Sequence, residues 1–182
     1  MNIRLERPED YRDVEELTRE AFWNVYAPGC VEHFVLHHYR SNPDFIPELD
    51  FVMEEDGRII GHVMYSRAEI ICEDGSGMPA WTFGPISIHP DYKRKGYGLK
   101  LLNYSIEKAR ELGIGVPYFL AKELIPGYLN GVEGTYHTPQ GYYIAFENPE
   151  AFNEFEAKFP PKEKKHQEGQ IVDDCTMNPN GI

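Results

Sequence analysis

The chain has 182 residues, of which 41% are hydrophobic and 26% are charged, so it can bury the core of one domain. Its 30 acids outnumber its 18 lysines and arginines, and the net charge of −12 argues against general nucleic-acid binding, which needs a basic face. With no apolar run near the ~20 residues of a membrane span, no signal-peptide core and three scattered cysteines, we expect a cytoplasmic protein with reduced thiols.

The first part of the chain predicts a strand, two helices and a hairpin. Apolar residues at helical spacing follow Pro8 and its two acids, which suit a helix start. Asp56-Gly57 separates two apolar runs and suits a tight turn with positive φ. The elements are a strand at Ile3 and Leu5, a helix from Pro8 to Phe22, a helix from Val31 to Tyr39, and a hairpin that turns at Asp56-Gly57.

A further strand, AWTFGPISIH, contains Gly84-Pro85. Proline cannot donate to a β-ladder, so this pair predicts an edge or an interruption in pairing. The next helix keeps apolar residues three and four apart from Gly98 to Leu112, and Gly113 stands where a left-handed C-terminal residue belongs. This is the most clearly predicted helix of the chain.

Beyond Gly113 the pattern is rich in turns and aromatic residues. The segment VPYFLA suits a strand, and a second strand is predicted from Tyr142 to Phe146. A short helix is predicted from Pro149 to Phe159, capped by Asn148. We assign residues 1–161 to one domain and residues 162–182 to a polar, loose C-terminal tail.

The stretch from His89 to Leu102 places a run of cations and two glycines before the clearest helix. A strand that leads through such a turn into a helix presents unpaired backbone N–H groups, which suit a phosphate. Gly96 and Gly98 would let the backbone approach it closely. The spacing is not a Walker loop, and Leu101 stands where the dinucleotide fingerprint has its third glycine. On charge alone, a solvated loop remains the alternative.

The segment GPISIHPDYKRKGYGLKLLNYSIEKARELG resembles the acetyl-CoA-binding motif of the GNAT superfamily of N-acyltransferases. In that motif Gln/Arg-x-x-Gly-x-Gly/Ala links the fourth strand to the third helix. Here Lys93 stands at the Gln/Arg position, and Gly96 and Gly98 follow. The resemblance extends over roughly Asn2 to Gly113 and implies an α+β fold, with a mixed, mostly antiparallel central sheet flanked by helices.

The resemblance also implies an activity, the transfer of an acetyl group from acetyl-CoA to an amine by direct attack in a ternary complex. It implies no metal. Backbone N–H groups of the turn would hold the pyrophosphate of the cosubstrate, and its pantetheine arm would lie beside the fourth strand. The residues implied for cofactor binding are Ile86, Ser87, Ile88, Lys93, Arg94, Lys95, Gly96, Tyr97, Gly98, Leu99 and Lys100.

Such a transfer needs a deprotonated amine, a polarised carbonyl and a protonated thiolate. The resemblance implies that a backbone N–H group of the fourth strand, at Ile86 or Ser87, polarises the carbonyl. The candidate bases are Glu54, Glu55, Glu69 and Asp50, and the candidate acids are Tyr118 and Tyr128. For each of these side chains, ordinary solvated surface or packing is the alternative.

Four aromatic or histidine side chains are expected to line the acceptor site, because their helical region borders that site in similar proteins. They are Trp23, Tyr26, His33 and His37. His33 and His37 are four residues apart, a spacing that can bind zinc. A third and a fourth ligand are not evident, so we predict that no metal is bound.

After Gly113 the chain departs from the family pattern. Family members continue with a fifth strand and a helix whose tyrosine protonates the leaving thiolate, and no such segment is recognisable here. We therefore expect a truncated C-terminal half, and a CoA-binding or interaction module with impaired catalysis is the alternative function. The exposed edge of the fourth strand could be covered by VPYFLA or by a homodimer partner. The acceptor, a small-molecule or peptide amine, is not specified by these residues.

Overall fold

The computed structural model describes residues 1–112 and 133–170, which form a five-stranded antiparallel sheet with helices on both faces. Its order is β1-β2-β3-β4, and β5 pairs with the far end of β3. The predicted α+β fold with a mostly antiparallel sheet is confirmed. The strands are β1 (Asn2–Leu5), β2 (Phe51–Glu55), β3 (Arg58–Cys72), β4 (Gly77–Ile88) and β5 (Gly134–His137).

Five α-helices accompany the sheet in the described ranges, and none of them is long and apolar enough to span a bilayer. They are α1 (Tyr11–Phe22), α2 (Glu32–Tyr39), α3 (Tyr97–Glu111), α4 (Ile144–Glu147) and α5 (Pro149–Glu156). The helices predicted in the first 112 residues are confirmed. Gly113 and the segment VPYFLA, together with the truncation inferred from them, lie outside the described residues.

The hairpin between β2 and β3 turns as its sequence predicts. Asp56 and Gly57 both have positive φ, at 51° and 78°. Two consecutive residues with positive φ follow the right-handed twist of the flanking strands, which is why Asp-Gly is favoured there. The hairpin sets the register of β2 on β3, and β3 in turn pairs with β4, the strand that carries Gly84-Pro85.

Apolar side chains alternate between the two faces of the sheet, and each face is covered by different helices. On one face, Leu101 and Ala109 of α3 pack against Met53 and Val63. On the other face, Val14 of α1 and residues of α2 pack against Val52 and Met64. Because successive strand residues point to opposite faces, the two clusters share strands without sharing side chains.

The C-terminal region differs from the sequence prediction in two elements, because β5 was not predicted and the segment from Tyr142 to Phe146 was assigned to the wrong class. The strand predicted from Tyr142 to Phe146 is wrong, since this segment is a 3₁₀ turn followed by α4. Its apolar side chains pack on α2 instead of joining the sheet, so tertiary contact overrides their strand propensity. The predicted helix at Pro149 is confirmed as α5, although the Asn148 side chain makes no capping hydrogen bond.

Helix α5 is attached to the helical layer by a buried ionic cluster. Glu156 accepts hydrogen bonds from Arg19 Nε at 3.1 Å and from His33 Nε2 at 2.8 Å. Burial lowers the pKa of His33, so this ring donates as neutral imidazole and Arg19 carries the balancing charge. Burial by itself raises the pKa of Glu156, but the hydrogen bonds from His33 and Arg19 outweigh it and hold that pKa below its ordinary value.

Replacing Glu156 with glutamine should lower the free energy of unfolding by about 2–4 kcal/mol at neutral pH, because Arg19 would keep a buried charge without its partner. The difference in unfolding free energy between the two proteins should shrink in acid. The lowered pKa of Glu156 means that its carboxylate stabilises the fold fully above the ordinary pKa of a glutamate, and that this stabilisation is lost as the pH falls through the lowered pKa. Urea unfolding at several pH values measures this, with Glu154→Gln on the exposed side of α5 as the control. An equal loss in both variants would contradict it.

Residues 157–170, the described part of the chain after α5, form no helix or strand but contact the connection between α1 and α2. The carbonyl of Glu163 accepts hydrogen bonds from Trp23 Nε1 at 3.0 Å and from Asn24 Nδ2 at 3.1 Å. Gln170 also donates to the Asn24 carbonyl, at 2.9 Å. Residues 162–170 thus lie against the domain, whereas we expected them to be loose. Residues 171–182 lie outside the described ranges, and the domain boundary at 161 stays a prediction.

Candidate active site

Strand β4 is interrupted at Gly84-Pro85, as the sequence predicts. Val63 lies opposite Ile86 and Tyr65 lies opposite Phe83, so Met64 alone faces the Gly84-Pro85 pair. This two-against-one pairing is a β-bulge, which bends the strand and breaks the regular ladder. In the described residues β4 pairs with β3 on one side, and no strand pairs with its other side.

Beyond the bulge, the backbone of β4 presents hydrogen-bonding groups at this outer edge. His89 N–H donates to the Ile60 carbonyl at 2.9 Å, and Ile88 lies opposite Gly61. Residues of an antiparallel pair alternate between the two sides, so the N–H groups of Ile88 and Ile86 point outward. The N–H group of Ser87 points to β3 instead. The Ser87 hydroxyl donates to the Thr18 hydroxyl at 3.0 Å in the core. Of the two candidates for polarising a carbonyl, the geometry therefore favours Ile86 and removes Ser87.

The turn after β4 ends at Gly96, whose φ of 82° is in the left-handed region and which directly precedes α3. The first helical hydrogen bond runs from Lys100 N–H to the Gly96 carbonyl, at 3.0 Å. The N–H groups of Tyr97, Gly98 and Leu99 therefore have no acceptor within the helix, and the helix dipole adds partial positive charge there. The space beside Gly96 is open, because a Cβ added there would meet no atom within 4 Å.

One basic side chain of this turn contacts another element of the domain. Lys93 donates through Nζ to the Ala21 carbonyl at 2.8 Å, in the last turn of α1, and burial lowers the pKa of this amine. It therefore braces the turn against α1, whereas we expected it to contact the cofactor. Arg94, Lys95 and Lys100 are exposed and leave a positive surface around the start of α3.

The start of α3 is held against the sheet at two points. A Cβ at Gly98 would lie 3.6 Å from the Ile88 side chain, so the helix and β4 pack closely there. The Tyr97 hydroxyl donates to Glu55 at 3.2 Å, which ties the helix start to the hairpin. Leu99 is 65% exposed and faces away from this contact. The helix start and the outer edge of β4 are consequently neighbours in one site.

A cleft of about 270 Å³ opens on the other side of the bulge, between the end of α1 and the start of α2. Tyr142 closes one wall, and its hydroxyl donates to the Gly84 carbonyl at 2.8 Å. The other walls of the cleft are mostly apolar. The lining residues are Phe22, Tyr26, Val31, Glu32, Val35, Gly84, Pro85 and Tyr142.

Of the four residues expected at the acceptor site, Tyr26 alone is among those lining the cleft. Trp23 lies beside it in sequence but packs under Arg19 and donates to Glu163. His37 is partly exposed and pairs with Glu15. The expectation for His33 is wrong, because this side chain is completely buried against Phe155 of α5 and Phe159 beyond the helix end.

The carboxylates predicted as bases lie elsewhere. Glu54 is paired with Arg4 at the β1 edge, at 3.0 Å from Arg4 Nε, which makes it a poor base for chemistry at the bulge. Glu55 binds Tyr97, Glu69 is exposed on β3, and Asp50 is buried against His62. None of these four lines the cleft. Tyr118 and Tyr128, the predicted acids, lie outside the described residues.

Two residues of the cleft with polar side chains, Glu32 and Tyr142, were not among the predicted site residues. Glu32 begins α2 within the stretch CVEHFVLHH, where the histidines drew attention, and an acid at a helix start is so common that it carries no functional signal. Tyr142 was assigned to a strand. Neither residue is near Gly84 in the sequence, so only the packing of α2 and of the 3₁₀ turn on β4 brings them together.

One carboxylate and histidine group elsewhere has a spacing compatible with a metal ion. Glu6, Asp50 and His62 offer ligand atoms within 4.8 Å of one another. However, Arg40 already donates to both oxygens of Glu6, at 2.9 Å and 2.7 Å, and supplies the positive charge. This buried cluster lies away from the cleft, and we assign no metal to it.

Comparison with known proteins agrees with this geometry. The model of the acetyltransferase (GNAT) family matches residues 11–124. The tRNA(Met) cytidine acetyltransferase TmcA of Aeropyrum pernix is 28% identical over 71% of this chain, which spans 21% of that protein. The chain thus spans about a fifth of the curated relative that it matches.

Two solved structures share the fold. A GNAT family acetyltransferase from Brucella melitensis in complex with acetyl-CoA superposes with a TM-score of 0.60 and 23% identity, covering 78% of this chain and 97% of the other. YhbS from Escherichia coli in complex with CoA gives a TM-score of 0.63 and 20% identity, covering 78% and 91%. At these identities the likeness establishes the fold.

Proposed function

Because the chain belongs to the acetyltransferase (GNAT) family, we propose that it transfers an acetyl group from acetyl-CoA to an amine acceptor by direct attack in a ternary complex. The observation that carries this proposal is that two backbone surfaces whose N–H groups have no acceptor among the described residues lie in one site. These are the first turn of α3 after Gly96 and the outward N–H groups of Ile86 and Ile88.

The first turn of α3 suits the pyrophosphate of acetyl-CoA. Its N–H groups and the helix dipole favour an anion, and the open space beside Gly96 lets a phosphate approach the backbone. Arg94, Lys95 and Lys100 add positive charge on an otherwise acidic chain, which favours encounter with an anionic cosubstrate. Lys93 is a positioning residue in this proposal, since it fixes the turn to α1.

The outer edge of β4 suits the pantetheine arm, whose amides can pair with exposed strand groups. The Ile86 N–H group is then the donor that polarises the thioester carbonyl, just after the bulge. The cleft at Gly84-Pro85 receives the acceptor amine, with Tyr26 on its wall. Tyr118 remains the proposed acid for the leaving thiolate, and Glu54, paired with Arg4, is no longer favoured as the base.

The acceptor is a small-molecule or peptide amine in this proposal. TmcA is by name a tRNA(Met) cytidine acetyltransferase, but this chain matches a fifth of it and carries a net charge of −12, which opposes binding to RNA.

We also propose a cytoplasmic location. For the outer edge of β4, we propose a homodimer partner as an alternative cover.

Calorimetry with acetyl-CoA, CoA and inorganic pyrophosphate, followed by a thiol-release assay on a panel of amines, tests the proposal. We expect both CoA species to bind, and thiol to be released only when an accepted amine is present. Absence of CoA binding would overturn the proposal. Binding without transfer to any amine would instead support a CoA-binding module with impaired catalysis.

A further inference from the structure

Glu32 is the one acidic side chain among the described residues that line the cleft. It stands in the first turn of α2, and its Oε2 accepts a hydrogen bond from Val31 N–H at 3.0 Å. No ion pair joins it to a basic side chain in residues 1–112 or 133–170. Within those ranges its carboxylate is therefore held in place by the backbone while its charge is left without a cationic partner.

The surroundings of this carboxylate are apolar. Phe22, Val31, Val35 and Pro85 form much of the cleft wall. Burial raises the pKa of Glu32, although hydrogen bonds from its own N–H group and from Val31 oppose the shift. The other titratable side chains that line the cleft are Tyr26 and Tyr142. A carboxylate with a raised pKa is a better proton acceptor than a solvated one, and an unpaired one attracts a cation.

Gly84 and Pro85 also line the cleft, so Glu32 shares one cleft with the bulge of β4. The N–H group of Ile86, the residue that follows the bulge, is the group assigned to the thioester carbonyl. A ligand cation paired with Glu32 would thus lie close to the reacting acetyl group, with its remaining atoms against apolar side chains.

We propose that Glu32 binds the ammonium group of the acceptor and then takes its proton, and that the acceptor is a primary amine with an apolar arm. This inference rests on the acetyl transfer proposed above. One N–H proton passes to the Glu32 carboxylate, and the nitrogen lone pair forms a C–N bond with the acetyl carbon. The C–S bond breaks, its electron pair leaves on sulfur, and the thiolate takes the second proton that the nitrogen loses as it becomes an amide.

The first test compares Glu32→Gln with Glu150→Gln, which changes an exposed glutamate in the first turn of α5. For acetylation of n-hexylamine, Glu32→Gln should lower kcat/KM by about 10²-fold or more, and Glu150→Gln should leave it unchanged. The rise of kcat/KM with pH that follows deprotonation of Glu32 should disappear in Glu32→Gln. The acetyl-CoA affinity should be the same in all three proteins, because the carboxylate is not part of the turn at Gly96.

The second test needs no variant. Along ethylamine, n-butylamine and n-hexylamine, kcat/KM of the unaltered protein should rise by up to about fourfold per added methylene, and spermidine should be a poor acceptor. A flat series, a preference for spermidine, or full activity and an unchanged pH profile in Glu32→Gln would overturn the inference. Loss of acetyl-CoA binding in the unaltered protein would instead overturn the proposed function, so the two failures are distinguishable.

Discussion

Replacing Gly96 with aspartate is expected to weaken acetyl-CoA binding by roughly 5- to 1,000-fold, the range that follows from the repulsion of two like charges ~4 Å apart in water and near a protein surface. Gly96 precedes α3 and borders the N–H groups assigned to the pyrophosphate. An added carboxylate there would repel the phosphates, and it would itself interact with the positive end of the helix dipole that would otherwise attract them. Titration calorimetry with acetyl-CoA measures the effect.

The matched control is Gly96→Asn. Asparagine and aspartate have nearly the same shape and both tolerate positive φ, so each meets the same strain at a φ of 82°. A Cβ at Gly96 meets no atom within 4 Å, which makes charge, and not a clash, the difference between the variants. The aspartate variant should bind acetyl-CoA at least about fivefold more weakly than the asparagine variant, and this difference in affinity should narrow in high salt. Equal affinities would place the pyrophosphate elsewhere.

Replacing Arg40 with methionine should lower the free energy of unfolding by about 3–5 kcal/mol, the cost of leaving buried charges without their partner. Arg40 follows α2 and donates to Glu6 at 2.9 Å and 2.7 Å and to Glu15 at 2.7 Å. The exposed fractions of the three side chains are 5%, 1% and 7%. For a chain of this size the midpoint of thermal unfolding should fall by roughly 6–20 °C.

The loss should depend on pH in a defined direction. Burial already raises the pKa of Glu6 to about 7 in the intact protein, with Arg40 opposing the rise. Without Arg40 that pKa rises further, and a carboxyl with a raised pKa costs stability as the pH climbs above its ordinary value. Arg40→Met should thus be most destabilised at alkaline pH and partly recover near pH 5. Adding Glu6→Gln should restore part of the loss at neutral pH.

Arg7→Met is the control for this prediction. Arg7 lies 3.8 Å from Glu9, and both side chains are more than half exposed. Removing such a surface pair should change the free energy of unfolding by less than about 1 kcal/mol, because water screens it. Urea unfolding of both variants gives the comparison. A loss below about 1 kcal/mol for Arg40→Met would mean that Glu6 and Glu15 find other compensation.

The sequence by itself predicted the parts of this protein that local chemistry decides. Asp56-Gly57 predicted a turn with two positive φ values, and Gly84-Pro85 predicted an interrupted strand. Glycine allows positive φ and proline cannot donate to a β-ladder, and both effects are independent of the rest of the fold. The turn at Gly96 and the helix after it followed for the same reason. These features and the family resemblance were sufficient to predict the fold and to locate the turn that we propose binds the phosphates.

Only the tertiary structure decided which side chains meet at the bulge of β4. Glu32 and Tyr142 line one cleft with Gly84 because α2 and the 3₁₀ turn pack on the same sheet face, and burial then raises the pKa of the Glu32 carboxyl. Packing likewise committed Lys93 to α1 and His33 to the core. The conformation of a turn depends on neighbouring residues in the chain, so a local sequence pattern predicts it. Burial and the pairing of charges depend on residues that are distant in sequence, so a local pattern does not predict them.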